Sequence, residues 1–298
     1  PNAKFFITAQ GKPEAIRHYG DLYDFQVVKD GDKLSLGKRE LTFVALPMLH
    51  WPDSMATYCA DDGILFSNDA FGQHYAVAKR FDDEVDQGIL FYEAKKYFAN
   101  ILWPYARLID KALTKVAALD LKMIATAHGI IWRSHIQEII ARYAAWGKGV
   151  SDSSVVVAYD TMWGATEQMA RAVLEGVISA GSDAVLLRMN ETPNSTAVAD
   201  LFEAGGLIVG SSTLNNGMLP TLGSLLVYLK GLKPTGKKAA VFGTYGWAGG
   251  AQKDMEALLT EAGFELEPGF TCKWKAQPED LAAARQLGYE FAKKLQNK

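Results

Sequence analysis

Val155-Val156-Val157-Ala158-Tyr159-Asp160-Thr161-Met162-Trp163-Gly164-Ala165-Thr166 is the stretch from which the fold of this chain is read. It opens as an unbroken apolar run without alternation, which fits a strand buried on both faces of a parallel sheet. A short turn follows, with hydroxyls at Thr161 and Thr166 around Gly164. From Glu167 the apolar residues Met169, Ala170, Val173, Leu174, Val177 and Ile178 recur at helical spacing. Strand, turn and helix N-terminus make an anion pocket, because unpaired backbone N–H groups and the positive end of the helix dipole face the turn. No lysine stands in the loop, so the nucleotide P-loop pattern is excluded. Neutral donors suit a phosphate monoester such as that of flavin mononucleotide (FMN).

In a doubly wound sheet the ligand lies at the carboxyl ends of neighbouring strands, so the next apolar runs should also end in binding loops. Leu207-Ile208-Val209-Gly210 runs into Ser211-Ser212-Thr213-Leu214-Asn215-Asn216-Gly217, and Ala239-Ala240-Val241-Phe242 into Gly243-Thr244-Tyr245-Gly246-Trp247-Ala248-Gly249-Gly250. A phosphate-type loop, a small polar loop and a glycine-rich loop with two aromatics suit a planar isoalloxazine: glycines admit backbone to the ring edge and aromatics cover its face. Candidate contacts are Thr161 to Thr166, Ser211, Thr213 to Gly217, and Gly243 to Gly249. Asp183 to Arg188 reads as a further strand, Phe264 to Trp274 as the last strand region, and Pro278 to Leu295 as the closing helix, giving a five-stranded parallel sheet.

The first half is mixed α and β. Strands are expected at Phe5–Thr8, Phe25–Val28, Leu41–Leu46 and Lys122–Ala127, with a hairpin around Asp61-Asp62-Gly63. Helices are expected at Pro13–Tyr19, at Tyr92–Ala117 with a break near Trp103-Pro104, and at Ser134–Gly147. Three polar residues follow strands directly: His50, Asp69 and His128. Two imidazoles and a carboxylate are suitable ligands for a first-row metal, although such residues taken singly are more often structural. His74 either lines a pocket beside them or faces solvent. Asp53 caps the next segment or orients His50, Trp103 and Trp132 read as core or interface, and Asp82-Asp83-Glu84 reads as a solvated acidic face.

These stretches, with Leu49-His50-Trp51-Pro52-Asp53-Ser54-Met55 and Ser67-Asn68-Asp69-Ala70-Phe71-Gly72, carry a resemblance to the flavodiiron proteins, the A-type flavoproteins of the rubredoxin:oxygen oxidoreductase kind. The resemblance implies an α/β chain: residues 1–150 form the C-terminal part of a metallo-β-lactamase-like αββα domain and residues 151–298 a flavodoxin-like FMN domain. The linker is Gly147-Lys148-Gly149-Val150-Ser151-Asp152. The resemblance also implies two irons per complete site, with His50 and His128 each binding one and Asp69 bridging. An external donor such as rubredoxin would reduce the FMN, which passes electrons to the diiron centre for reduction of O2 to water or NO to N2O, in a head-to-tail homodimer or a dimer of dimers. The family's upstream His-x-Glu-x-Asp motif is not in the sequence, and neither His18 nor His135 has the spacing to replace it. The chain is therefore expected to be a fragment. A zinc hydrolase with a flavodoxin appendage, or an electron carrier with a degenerate front domain, are the rival readings.

Composition agrees with a globular protein of about two domains: 298 residues, 49% apolar and 22% charged. A net charge of −3 without a basic run argues against nucleic acid or an anionic membrane as partner. Cys59 and Cys272 form no C-x-x-C, which excludes a rubredoxin-type iron site and points to reducing cytoplasm.

Overall fold

The computed structural model describes residues 3–149 and 151–297. The chain divides between Gly149 and Val150 into two compact units. This boundary lies within the expected linker, whose Val150 is outside the described residues.

The first unit comprises β1 (Phe5–Ile7), α1 (Gly11–Tyr19), β2 (Phe25–Val27), β3 (Lys33–Ser35), β4 (Glu40–Ala45), β5 (Met55–Cys59), β6 (Ile64–Asn68), α2 (Gln87–Tyr97), α3 (Ile109–Ala117), β7 (Met123–Thr126) and α4 (Ile136–Gly147). Strands β3 to β7 form a sheet in sequential order, and β1 pairs with β2 separately. β3 through β6 pair antiparallel, whereas β6 and β7 run parallel. The hairpin registers Cys59 opposite Ile64 around the Asp-Asp-Gly turn. β3 is an exposed edge strand of three residues, with only Leu34 half-buried.

Helix α2 buries Leu90, Ala94 and Tyr97, and α4 buries Ile136, Ile139, Tyr143 and Trp146, each at spacings of three and four. The expected break between α2 and α3 is a π-turn, Phe98–Leu102, followed by a 3-10 turn, Trp103–Leu108. Pro104 there has no N–H to continue the ladder. Trp132 is fully buried and donates from Nε1 to the carbonyl of Phe71 at 2.8 Å.

Asp82 corrects the reading of its acidic triplet as a solvated face. It is fully buried. Its carboxylate accepts from the backbone N–H groups of Asp83, Arg133, Ser134 and His135 at 2.7–3.2 Å. A carboxylate is the strongest acceptor for converging N–H groups, and here it fixes the segment that leads into α4. Asp83 and Glu84 do face solvent, where both pair with Arg133.

The second unit comprises β8 (Val155–Tyr159), α5 (Ala165–Ser179), β9 (Ala184–Arg188), α6 (Asn194–Glu203), β10 (Gly206–Ser212), α7 (Pro220–Leu232), β11 (Lys238–Tyr245), α8 (Ala251–Ala262), β12 (Glu265–Leu266), β13 (Phe270–Lys273) and α9 (Pro278–Gln296). The sheet runs β9-β8-β10-β11, and its fifth position is shared by β12 and β13, which pair in turn with opposite ends of β11. All pairings are parallel. Every residue of β8 and β10 is buried, as a sheet covered on both faces requires. The gap in the fifth strand contains Pro268, which has no N–H for a ladder. Lys238 Nζ holds that break by bonding Glu265 and Glu267 at 2.7 and 2.6 Å.

Helices α5 and α9 approach closely because both present glycine at the contact. A Cβ on Gly176 would lie 1.9 Å from the carbonyl oxygen of Arg285, and one on Gly288 would lie 2.1 Å from that of Val173. The pair covers a core of Val155, Val157, Met169, Val173, Phe242 and Phe291. Each such side chain contributes about 1.5–3 kcal/mol on burial.

Candidate flavin cleft and metal site

In the first unit, parallel pairing of β6 with β7 sets the loops that follow them side by side. Ser67 is a bulge residue between the paired Phe66 and Asn68. Its hydroxyl donates to the carbonyl of Ala70 at 2.7 Å and closes the Asp69 loop. Ala127 N–H donates to the carbonyl of Asn68 at 2.8 Å, tying the Asp69 loop to the one bearing His128. The loop after β4 is anchored by the buried Leu46 and Leu49 and is closed by Ser54, whose Oγ accepts from Trp51 N–H at 3.1 Å.

These loops bring together His50, Asp69 and His128. His50 Nε2 stands 3.3 Å from Asp69 Oδ2, and His128 Nε2 stands 3.2 Å from Asp69 Oδ1. The Asp69 side chain is only 13% exposed, so its charge needs a positive partner close by. One imidazole at each carboxylate oxygen fits a carboxylate bridging two ions, each with its own histidine. Among the described residues, no three His, Cys, Asp or Glu side chains converge on a single ion. The described residues alone therefore do not complete the coordination of either ion.

A buried amide organises the two loops. Gln73 is fully buried: its Nε2 donates to Phe71 O at 2.8 Å, its Oε1 accepts from Ile130 N–H at 2.7 Å, and its own N–H donates to His128 O at 3.3 Å. Gly129, at φ +82°, admits it: a Cβ there would lie 2.3 Å from Gln73 Oε1. The His128 carbonyl also accepts from Thr126 Oγ1 at 2.8 Å. Around the histidines, His74 is exposed, with its ring 5.7 Å from that of His128 and 4.9 Å from that of Tyr97. Burial first, and then the Asp69 charge, push the Tyr97 phenol well above its ordinary pKa, so it keeps its proton. Nothing in the sequence marked Gln73 or Tyr97. Asp53 does not reach His50; its Oδ2 lies 3.2 Å from the Cβ position of Gly11 at the N-terminus of α1. Of the remaining histidines, His135 pairs with Glu138 at 3.5 Å and His18 rests on Tyr19.

In the second unit, a cleft of about 770 Å³ opens at the carboxyl ends of β8, β10, β11 and β13. Of the residues expected there, Met162, Trp163, Ala165, Thr213, Leu214, Asn215, Asn216, Thr244, Tyr245, Gly246, Trp247 and Ala248 line it. Gln168, Ser212, Trp274 and Lys275 also line it and were not expected. Thr161, Gly164, Thr166, Ser211, Gly217, Gly243 and Gly249 are not among the lining residues. Thr161 Oγ1 accepts from Gly164 N–H at 3.0 Å. Thr166 is fully buried, and its hydroxyl bonds those of Ser212 and Thr244 at 2.8 and 2.9 Å. The loops of three strands are thereby stitched together at one point. Ser211 turns away, accepting from Leu219 N–H at 2.9 Å. Leu214 and Gly217 close a turn with Asn215 and Asn216 in the left-handed region.

The cleft fits FMN. At the N-terminus of α5, the N–H groups of Ala165, Thr166 and Glu167 donate to no acceptor among the described residues, so they are available to an anionic group. Asp160 is structural, its carboxylate accepting from Thr161 N–H and Thr221 Oγ1 at 2.8 and 2.6 Å. Trp163 and Trp247 are 91% and 86% exposed, so these rings are not core, and Trp247 lies 6.3 Å from Trp274. Flat apolar surfaces above a polar floor suit an aromatic ring system.

A flavodoxin-type cleft and a carboxylate-bridged pair of imidazoles on one chain define an oxidoreductase that uses a flavin together with metal. Comparison with known proteins agrees. The flavodoxin family profile matches residues 157–288, and that described as "ODP family beta lactamase" matches residues 2–129. The "Nitric oxide reductase" of Moorella thermoacetica is 43% identical over 99% of this chain and 75% of its own length. The "Anaerobic nitric oxide reductase flavorubredoxin" of Vibrio vulnificus is 38% identical over 98% of this chain and 60% of its own. The flavodiiron protein of Giardia intestinalis superposes with a TM-score of 0.96 at 36% identity, covering 99% of this chain and 74% of that one. Rubredoxin oxygen:oxidoreductase from Desulfovibrio gigas superposes with a TM-score of 0.94 at 34% identity, covering 99% and 75%. The chain belongs to the flavodiiron proteins, whose cofactors are FMN and a non-haem diiron centre.

Proposed function

We propose that this chain takes electrons from an external rubredoxin-like donor and delivers them through FMN to a diiron centre that reduces NO to N2O, O2 to water, or both. The names of its relatives support both substrates: nitric oxide reductase for one, oxygen oxidoreductase for the other. The observation that carries the reading is Asp69 with one histidine at each carboxylate oxygen. Hydrolases also use bridged pairs of ions, so the identity of the metal, not the Asp69 geometry, separates this reading from a zinc hydrolase.

FMN in the cleft would supply one-electron transfer, and iron held by His50, Asp69 and His128 would supply the binding and reduction of O2 or NO. The chain's own residues do the rest. The N–H groups at the start of α5 hold the phosphate, and the tryptophans cover the ring and limit water. His50, Asp69 and His128 are the proposed metal ligands. Tyr97 Oη, kept protonated by burial, is a hydrogen-bond donor beside them.

Among the described residues no helix is long and apolar enough to cross a membrane. Both cysteines are buried and free, consistent with work in a reducing cytoplasm. A head-to-tail homodimer, or a dimer of such dimers, completes the proposal.

The test is iron, zinc and FMN per chain in anaerobically purified wild type and Asp69→Asn. About two irons per FMN in the wild type, as a binuclear centre requires, with iron lost and FMN kept in the variant, is the expected result. Zinc in place of iron, or iron unchanged by the substitution, overturns the proposal.

A further inference from the structure

Lys275 is the only charged residue on the lining of the flavin cleft; no Asp, Glu, Arg or His shares it among the described residues. The nearby carboxylates Glu167 and Asp254 do not line the cleft. Glu167 pairs with Arg171 at 2.7 Å, and Asp254 lies behind the turn at Gly217.

The place of Lys275 along the sheet decides what it can serve. The phosphate loop follows β8, whereas Lys275 lies two residues beyond the end of β13. β10 and β11 lie between those strands, so three steps separate β8 from β13. At about 4.8 Å per step, the two strand ends are roughly 14 Å apart. The phosphate therefore rests on uncharged donors, and the single positive charge stands at the far end of the cleft. Trp274, beside Lys275, lies 6.3 Å from Trp247 at that end, while the third exposed tryptophan, Trp163, lies on the phosphate loop.

We infer that Lys275 sets the reduction potential of the bound flavin by stabilising its reduced anion. The inference rests on the assignment of this cleft to FMN. On full reduction the isoalloxazine takes up two electrons, from a one-electron protein donor acting twice, and one proton at N5. N1 stays deprotonated, so the ring gains a negative charge that the oxidised ring lacks. An ammonium at the ring end favours the reduced form and raises the potential; a carboxylate there would lower it. Because Lys275 is exposed, its effect falls as salt is added.

The experiment is spectroelectrochemical titration of the FMN-loaded protein, with dissociation constants for oxidised FMN and for riboflavin. The variants are Lys275→Met, Lys275→Glu and the control Lys253→Met, an exposed lysine off the cleft. Lys275→Met is expected to weaken reduced FMN about three- to tenfold relative to oxidised FMN. That lowers the two-electron potential by about 15–30 mV, since tenfold corresponds to 29.6 mV. Lys275→Glu is expected to lower it further, and Lys253→Met to leave it unchanged. An unchanged potential in Lys275→Met refutes the inference. So does weaker binding of oxidised FMN with riboflavin binding unaffected, which would place the lysine on the phosphate. Failure of the wild type to bind FMN would instead remove the assignment of the cleft.

Discussion

Replacing Gly129 by alanine tests whether the His128 loop depends on its contact with Gln73. Two costs arise. The residue sits at φ +82°, where an L side chain costs about 1–2 kcal/mol. The added Cβ would also lie 2.3 Å from Gln73 Oε1 and 2.4 Å from the Gln73 carbonyl oxygen. Relief requires moving a fully buried amide, at about 1–3 kcal/mol for the overpacking. Loss of its bond to Ile130 N–H adds about 1–3 kcal/mol for a buried donor left unpaired. The sum is roughly 3–8 kcal/mol. Gly37 is the internal control: at φ +88° with nothing within 4 Å of its Cβ, Gly37→Ala should carry only the backbone cost. The assay is calorimetric unfolding of the FMN-loaded protein, with flavin emission marking which transition belongs to the second unit. At about 2–4 °C per kcal/mol, Gly129→Ala should melt at least 4 °C below Gly37→Ala and lose metal while keeping FMN. Equal melting temperatures for the two variants would refute the steric argument.

Three further outcomes are expected. Asp82→Ala should destabilise the first unit by about 1–3 kcal/mol, because the part-buried N–H groups of Arg133, Ser134 and His135 lose their acceptor; chemical denaturation measures it. Thr166→Val should cost about 1–3 kcal/mol and weaken FMN binding, since the hydroxyls of Ser212 and Thr244 lose their shared partner; flavin titration reads the affinity. Burial raises the Glu267 pKa, but bonds from Lys238 and Lys294 outweigh it and leave the carboxyl below its ordinary value; such a group stabilises the fold above its unfolded pKa, and that stability is lost as pH falls through the folded value. Acid unfolding of Glu267→Gln should accordingly show a shallower dependence on pH than the wild type below about pH 4.5.

The second unit was legible because three buried strands each end in a loop of distinctive residue types, so the cleft follows from strand order alone. What the sequence hid was the phase of single side chains. Ser211 and Ser212 are neighbours in β10 and point to opposite faces. Since both faces of that strand are buried, no apolar–polar alternation told which serine meets the ligand. Thr166 looked like a phosphate donor because only tertiary structure shows its hydroxyl committed to Ser212 and Thr244. Trp274 and Lys275 follow the broken fifth strand, away from any motif. In the first unit the three ligand candidates were visible only as polar residues after strands. Asp82 was misread because charged triplets are usually solvated, and the N–H groups that justify its burial come from about 50 residues away in sequence.

The parallel β6–β7 pairing that joins Asp69 to His128 has a kinetic consequence. His50 and Asp69 are 19 residues apart, and Asp69 and His128 are 59 apart. The first span closes through the local β5–β6 hairpin, but the second requires a long excursion through α2 and α3 before any contact rewards it. Non-local pairings of this kind form late and slowly. Metal is therefore expected to bind after that pairing forms rather than before it. It arrives at a chain already threaded into its topology, and the rate at which metal is captured during refolding becomes a clock for the last strand to dock.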